Sequence, residues 1–211
     1  MSEALSRALA RFETLPPLER VHVRLRALTC PLEAVALRVP RGRVLEVGCG
    51  HGLLSALLAE DPGRTVLGID RDPHKIALAS RVARPPRLVF SPEGTAAVGG
   101  GWDAVVVSDV LYLVPPEEWR PFLDACARAL APSGRLVLKE ASTTPAWKHH
   151  KTVAQERLVT RVLGRTRGAS VHFAPPARLA ALLASLGLRV EVTELGRGYS
   201  TPHVLFAASR P

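Results

Sequence analysis

Residues 44–52 read Val44-Leu45-Glu46-Val47-Gly48-Cys49-Gly50-His51-Gly52. The run from Arg43 to Val47 has the pattern of a short, buried parallel strand, and Gly48 closes it. Glycines at alternate positions then let the backbone turn sharply and come close to a ligand. Leu53 to Glu60 has helical character, and Asp61-Pro62-Gly63 stops it. A strand, a glycine turn and a helix in this order open a crevice at the carboxyl end of a parallel sheet, where such sheets bind ligands. The loop is not a phosphate loop, because no Gly-Lys-Ser/Thr follows. It is not GxGxxG either, since the glycine after Gly50 comes two residues on.

The pattern repeats downstream. Thr65 to Ile69 reads as a second strand ending at Asp70. Asp72 suits a helix cap with Pro73 at the first position, and that helix runs to about Ala83. Arg87 to Phe90 and Trp102 to Val107 read as the third and fourth strands. Pro116 to Ala131 reads as a helix with Ala125, Ala129 and Leu130 on its apolar stripe. Pro132-Ser133-Gly134 turns the chain into a fifth strand, Arg135 to Lys139. A basic helix is expected at 150–163 and another helix at 176–186. Leu188 to Leu195 and Val204 to Ala208 alternate around Gly196-Arg197-Gly198 as a hairpin. Strands alternating with helices imply an α/β fold, a doubly wound parallel sheet with helices on both faces. Residues 1–40 read as a separate, mostly helical segment that ends at Pro40.

Composition excludes several classes. With 211 residues, 47% hydrophobic and 22% charged, the chain is long enough for one full core and is neither disordered nor collagen-like. No apolar run approaches the ~18 residues of a membrane span, and Met1 to Leu15 lacks a secretory core. Cys30, Cys49 and Cys126 are odd in number and form no CxxC, which fits thiols in a reducing cytoplasm. The net charge is +9, and residues 141–211 hold ten basic and three acidic residues. That excess suits an anionic partner, or reflects a bias in which 24 of the 28 basic residues are Arg. The absence of Asn and the single Gln fit a thermophile.

Asp70 sharpens the glycine turn. It ends the next strand, and a carboxylate there can accept hydrogen bonds from both ribose hydroxyls of a nucleoside. Together the two features favour a nucleoside-bearing cofactor. These residues resemble the class I S-adenosylmethionine-dependent methyltransferases. Val44 to Gly52 is similar to the first motif of that family and Gly68-Ile69-Asp70 to the acidic end of its second strand. Trp102 to Pro115 resembles its fourth-strand motif, and Pro132 to Leu138 its Pro-Gly-Gly turn and fifth strand. The resemblance implies a Rossmann-like, mostly parallel seven-stranded sheet with an antiparallel last strand. It also implies that residues 1–40 form a lid or cap over the substrate and 41–211 the methyltransferase domain.

The resemblance implies roles for particular residues. Gly48, Cys49, Gly50 and Gly52 shape the loop around the methionine part of S-adenosyl-L-methionine, with Glu46 in support. Asp70 holds the ribose, with Arg71 beside the adenine. Ser108 and Asp109 border the sulfonium and the acceptor. The family often carries an acid near the adenine amino group. Here the segment is Glu93-Gly94-Thr95, and either Glu93 takes that role or Thr95 replaces it. The Asn/Asp-Pro-Pro-aromatic signature of amino-group methyltransferases is replaced by Ser108-Asp109-Val110-Leu111, which points away from a nitrogen target.

Methyl transfer from a sulfonium is an in-line displacement on an activated donor, so positioning lowers the barrier. The sulfonium loses its charge in the reaction, and a strong negative field on the sulfur would favour the ground state. Asp109 is therefore expected to face the amino group or the acceptor. Tyr112, three residues on, either lines the pocket mouth or packs at a helix entry. His149, in Trp147-Lys148-His149-His150-Lys151, is a candidate general base, or part of a solvated basic helix start. No HExxH, EF-hand loop or His/Cys cluster suggests a metal. Arg157, Arg161 and Arg165 share one helix face beside Leu158, Val159, Val162 and Leu163, a pattern suited to an anionic surface or to solvent.

The expectation is a cytoplasmic methyltransferase, monomer or homodimer, acting at oxygen or carbon of a small or lipid-like acceptor, an anionic one if the basic excess serves it. Three alternatives stay open: an RNA methyltransferase using the basic C-terminal third, an oxidoreductase binding a nicotinamide dinucleotide, and a non-enzymatic cofactor-binding scaffold.

Overall fold

The computed structural model describes residues 1–95, 97–143, 171–196 and 198–211. The expected basic helix at 150–163, with Arg157, Arg161 and Arg165, and His149 lie outside the described residues. Three helices open the chain: α1 (Glu3–Ala10), α2 (Pro17–Thr29) and α3 (Leu32–Ala36), with a 3-10 turn (Arg11–Thr14) after the first. Then come β1 (Gly42–Val47), α4 (Leu53–Leu58), β2 (Arg64–Ile69), α5 (Pro73–Ser80), β3 (Leu88–Ser91) and β4 (Trp102–Ser108). Short 3-10 turns (Leu111–Leu113 and Pro116–Glu118) lead to α6 (Trp119–Ala129), β5 (Leu130–Ala141), α7 (Pro176–Ala184), β6 (Arg189–Glu194) and β7 (His203–Ser209).

The strands form one seven-stranded sheet in the order β3-β2-β1-β4-β5-β7-β6. The pairs among β1 to β5 are parallel, and β7 runs antiparallel to both β5 and β6. This is the expected Rossmann-like arrangement. Alternate residues of each strand feed two separate cores. Val44, Ala104, Val106, Val137, Leu205 and Ala207 pack with α1 to α5. Leu45, Val105, Val107, Leu136, Leu138 and Phe206 pack with α6 and α7.

Residues 1–40 are fastened to the sheet. Leu5, Ala8, Phe12, Val23, Leu32 and Val35 enter the first core. The Arg64 guanidinium donates to the carbonyls of Ala36 (3.0 Å), Val39 (2.5 Å) and Pro40 (3.2 Å), satisfying orphan acceptors past the end of α3. Arg7 and Arg11 both grip Glu60 beyond α4.

Two elements differ from the sequence reading. The strand after α6 starts at Leu130, so Pro132-Ser133-Gly134 lies within β5 rather than before it. A register shift between Trp102 and Ala104 absorbs the extra residues, and Gly134 fits because a Cβ there would stand 2.6 Å from the Trp102 carbonyl oxygen. The helix expected from Pro116 begins as a 3-10 turn, and its buried stripe runs through Trp119, Leu123 and Cys126. The Asp72 carboxylate caps α5 as expected, accepting from the amides of His74 (3.0 Å) and Lys75 (3.3 Å).

Candidate active site

The sheet order reverses between β1 and β4, which is where an open α/β sheet offers its crevice. The loop after β1 forms one wall. Its three glycines have positive φ but are required for different reasons. At Gly48 a Cβ would meet Val110 at 2.4 Å, and at Gly52 it would meet Phe90 at 2.5 Å. At Gly50 nothing stands within 4 Å, so that residue faces open space. Gly52→Ala combines a φ of +83° with the Phe90 clash. We expect it to cost about 2 kcal/mol in a urea melt, part of which Phe90→Leu restores.

Asp70 closes the loop from β2. One carboxylate oxygen accepts from the Gly50 amide (2.8 Å) and the other from the Asp72 amide (2.9 Å). The amides of Gly48 and Cys49 both donate to the Ile69 carbonyl. The acid and the loop are thus one hydrogen-bonded unit. Arg71 beside it is exposed, as are Glu93 and Gly94 beyond β3, and Thr95 is half-buried.

The face of the sheet that packs against α1 to α5 becomes polar at its carboxyl edge. Glu46, Ser108, Lys139 and His203 all sit there, each nearly or fully buried. Glu46 accepts from the Ser55 hydroxyl. Burial raises its carboxyl above 4.5, to about 7, with Ser55 and Arg26 working the other way. A raised carboxyl adds stability that is complete below the unfolded pKa and is lost as pH rises through the folded one. Glu46 therefore makes the fold less stable by about 3 kcal/mol between pH ~4.5 and ~7. Glu46→Gln should flatten that decline in denaturant melts taken across pH.

Asp109 follows Ser108, with a φ of 57° that few residues other than Gly, Asn and Asp adopt. Its carboxylate meets the Lys139 ammonium at 2.5 Å and the Arg26 guanidinium at 3.1 Å. Burial alone would raise its pKa, but Lys139 and Arg26 outweigh this and hold it below the usual range. Lys139 is 0% exposed. Arg26 arrives from α2 and donates also to the Ser108 carbonyl, 3.3 Å away. The next carboxylate, Glu140, accepts from the amides of Val110 (3.1 Å) and Leu111 (2.8 Å), and burial pushes its pKa up.

His203 stands 3.0 Å through Nε2 from the Thr29 carbonyl oxygen. A carbonyl only accepts, so Nε2 carries the proton and Nδ1 is a bare lone pair. Among the described residues neither that Nδ1 nor the Ser108 hydroxyl has a hydrogen-bond partner. Burial lowers the imidazole to about 4, keeping it neutral. A second tie from α2 joins Glu19 to His51 of the glycine loop at 2.6 Å.

The structure therefore gathers Glu46, Gly48, Cys49, Gly50, Gly52, Asp70, Ser108 and Asp109 at the carboxyl ends of the neighbouring strands β1, β2 and β4. Tyr112 is stacked on Phe173, ring centroids 5.8 Å apart, and lines a small pocket with Leu111, Trp119 and Glu140. Sequence reasoning missed Arg26 and His203. Among the described residues no group of His, Cys, Asp or Glu is placed to hold a metal ion, and no helix is long and apolar enough to cross a membrane.

The open space at Gly50 and the carboxylate wired to the loop fit a nucleoside-bearing ligand. On this sheet order, such a crevice defines a class I S-adenosylmethionine-dependent methyltransferase. A family profile described as "Methyltransferase domain" matches residues 5–192, and the chain belongs to that family. It is 36% identical over 168 residues to the ubiquinone biosynthesis O-methyltransferase of Xanthomonas axonopodis pv. citri, covering 76% of this chain and 69% of the relative. Against the enzyme of that name from Xanthomonas oryzae pv. oryzae it is 36% identical over 155 residues, 71% of this chain and 63% of the relative. The chain thus spans about two thirds of the length of these relatives. Magnesium protoporphyrin IX methyltransferase from Synechocystis PCC 6803, solved with bound SAH, shares the fold. Its TM-score is 0.68 at 21% identity, covering 97% of this chain and 94% of that one. The chain is an S-adenosylmethionine-dependent methyltransferase, and the oxidoreductase and scaffold alternatives fall away.

Proposed function

We propose that this methyltransferase acts on a hydroxyl of a small, lipid-like acceptor, and that residues 1–40 cap the site. The relatives' names carry the reading: both are O-methyltransferases of ubiquinone biosynthesis. The ties from α2 to Asp109 and His51 support the cap.

When bound, S-adenosylmethionine supplies a methyl group already activated on a sulfonium. Gly48 to Gly52 and Asp70 would hold that cofactor, and the Asp70 lone pairs left over from Gly50 and Asp72 could accept from its ribose hydroxyls. Asp109 stays ionised between Lys139 and Arg26, so it serves as a fixed negative charge that orders cations and is a poor proton acceptor. The bare Nδ1 of His203 can accept a hydrogen bond, while burial and Lys139 hold its imidazole low, so it too is a weak proton acceptor. His149 and Tyr112 are candidates for the acceptor side. The reading places the enzyme in the cytoplasm.

Incubation with methyl-labelled cofactor and a bacterial extract tests the proposal. Label is expected in the organic phase, in a product whose mass spectrum shows a methyl ether. Label confined to nuclease-sensitive material would move the function to RNA.

A further inference from the structure

The outward side of α2 is apolar. Leu18, Val21, Leu25 and Leu28 are 73%, 54%, 54% and 71% exposed. Their spacing of three, four and three residues puts them on one stripe of the helix. The opposite side of the same helix carries Val23 into the core, Glu19 to His51 and Arg26 to Asp109. A helix that roofs the crevice thus turns a second, greasy face to water.

We propose that this stripe is a docking face for an anionic phospholipid surface. Area argues against a second copy of the chain. The four side chains expose roughly 400 Å², about half of the ~800 Å² per partner that a stable dimer buries. Partial insertion into a headgroup layer needs no such area. Charge points the same way. Arg20 and Arg24 lie along one edge of the stripe and share a single carboxylate, Glu13, at 3.8 and 2.7 Å, which leaves the edge positive. Position gives it a use. Docking would set the roof of the crevice on the layer where an apolar acceptor resides. That use rests on the lipid-like acceptor proposed above; the docking itself does not.

The full chain is floated with vesicles of phosphatidylcholine alone and of phosphatidylcholine with about one third phosphatidylglycerol. The bound fraction is expected to be several-fold higher on the anionic vesicles. The double substitution Leu18→Ser/Leu25→Ser should weaken that binding about tenfold or more. Its melting temperature and affinity for S-adenosylhomocysteine should stay unchanged. Wild-type chain that ignores both vesicles, or a double variant that binds as well as wild type, overturns the proposal. So does a wild-type dimer by light scattering that the double variant turns into monomer, since the stripe is then an interface between copies. Vesicle binding without methyl ethers in the lipid extract would overturn the acceptor reading and leave the docking intact.

Discussion

Asp109→Asn is expected to unfold the chain at a markedly lower temperature. The substitution keeps the shape and tolerates the left-handed backbone at this position, so the charge is what changes. It leaves the Lys139 ammonium, 0% exposed, without its anion, and Arg26 loses the same partner. Breaking a buried pair from one side costs about 3–5 kcal/mol, because the remaining charge has no water to return to. For a chain of this size that is a fall in melting temperature of roughly 10 °C or more. Lys139→Met added to Asp109→Asn removes the stranded charge and should recover much of the loss. Scanning calorimetry on the two single variants and the double one reads both effects. The stability given by Asp109 is present above the unfolded carboxylate range and drains away only in strong acid, as pH falls towards the lowered folded pKa.

Asp70→Ala is the second large effect, and it falls on binding. It removes the acceptor of the Gly50 and Asp72 amides, so the glycine loop loses its tie to β2 just where Gly50 faces open space. Hydrogen bonds to a charged group are worth about 1.5–3 kcal/mol each, so affinity for S-adenosylhomocysteine should fall about a hundredfold. Asp70 is only partly buried and its lost partners can turn to water, so folding should suffer much less. Calorimetric titration beside a thermal melt separates the two outcomes.

These two acids were not equally legible. Asp70 and the glycine loop lie in a contiguous strand, turn and helix pattern whose periodicity is local, so sequence order carries the signal. The partners of Asp109 are not local. Arg26 is one of 24 arginines, and it reaches Asp109 through the way α2 packs on the sheet edge. Lys139 reads as the polar end of a strand, and only the register Ser108↔Lys139 brings it against Asp109. His203 gives no motif: its neighbour Thr29 is 174 positions away. The start of β5 is hidden in the sequence because Pro and Gly signal a turn, whereas here a bulge opposite Trp102 and Ala104 takes them into the strand. On α2 the spacing of Leu18, Val21, Leu25 and Leu28 is that of a core stripe, yet Val23, Glu19 and Arg26 claim the inner side.

Titration of the purified chain with S-adenosylhomocysteine, and in parallel with NAD, bears most directly on the hollow between the Gly48–Gly52 bend and Asp70. One equivalent of the thioether should bind and raise the melting point, by about 2.7 kcal/mol of added stability at a hundred times its Kd, while NAD does neither. Heat and melting curves unmoved by the thioether, at any concentration up to its solubility, would contradict it.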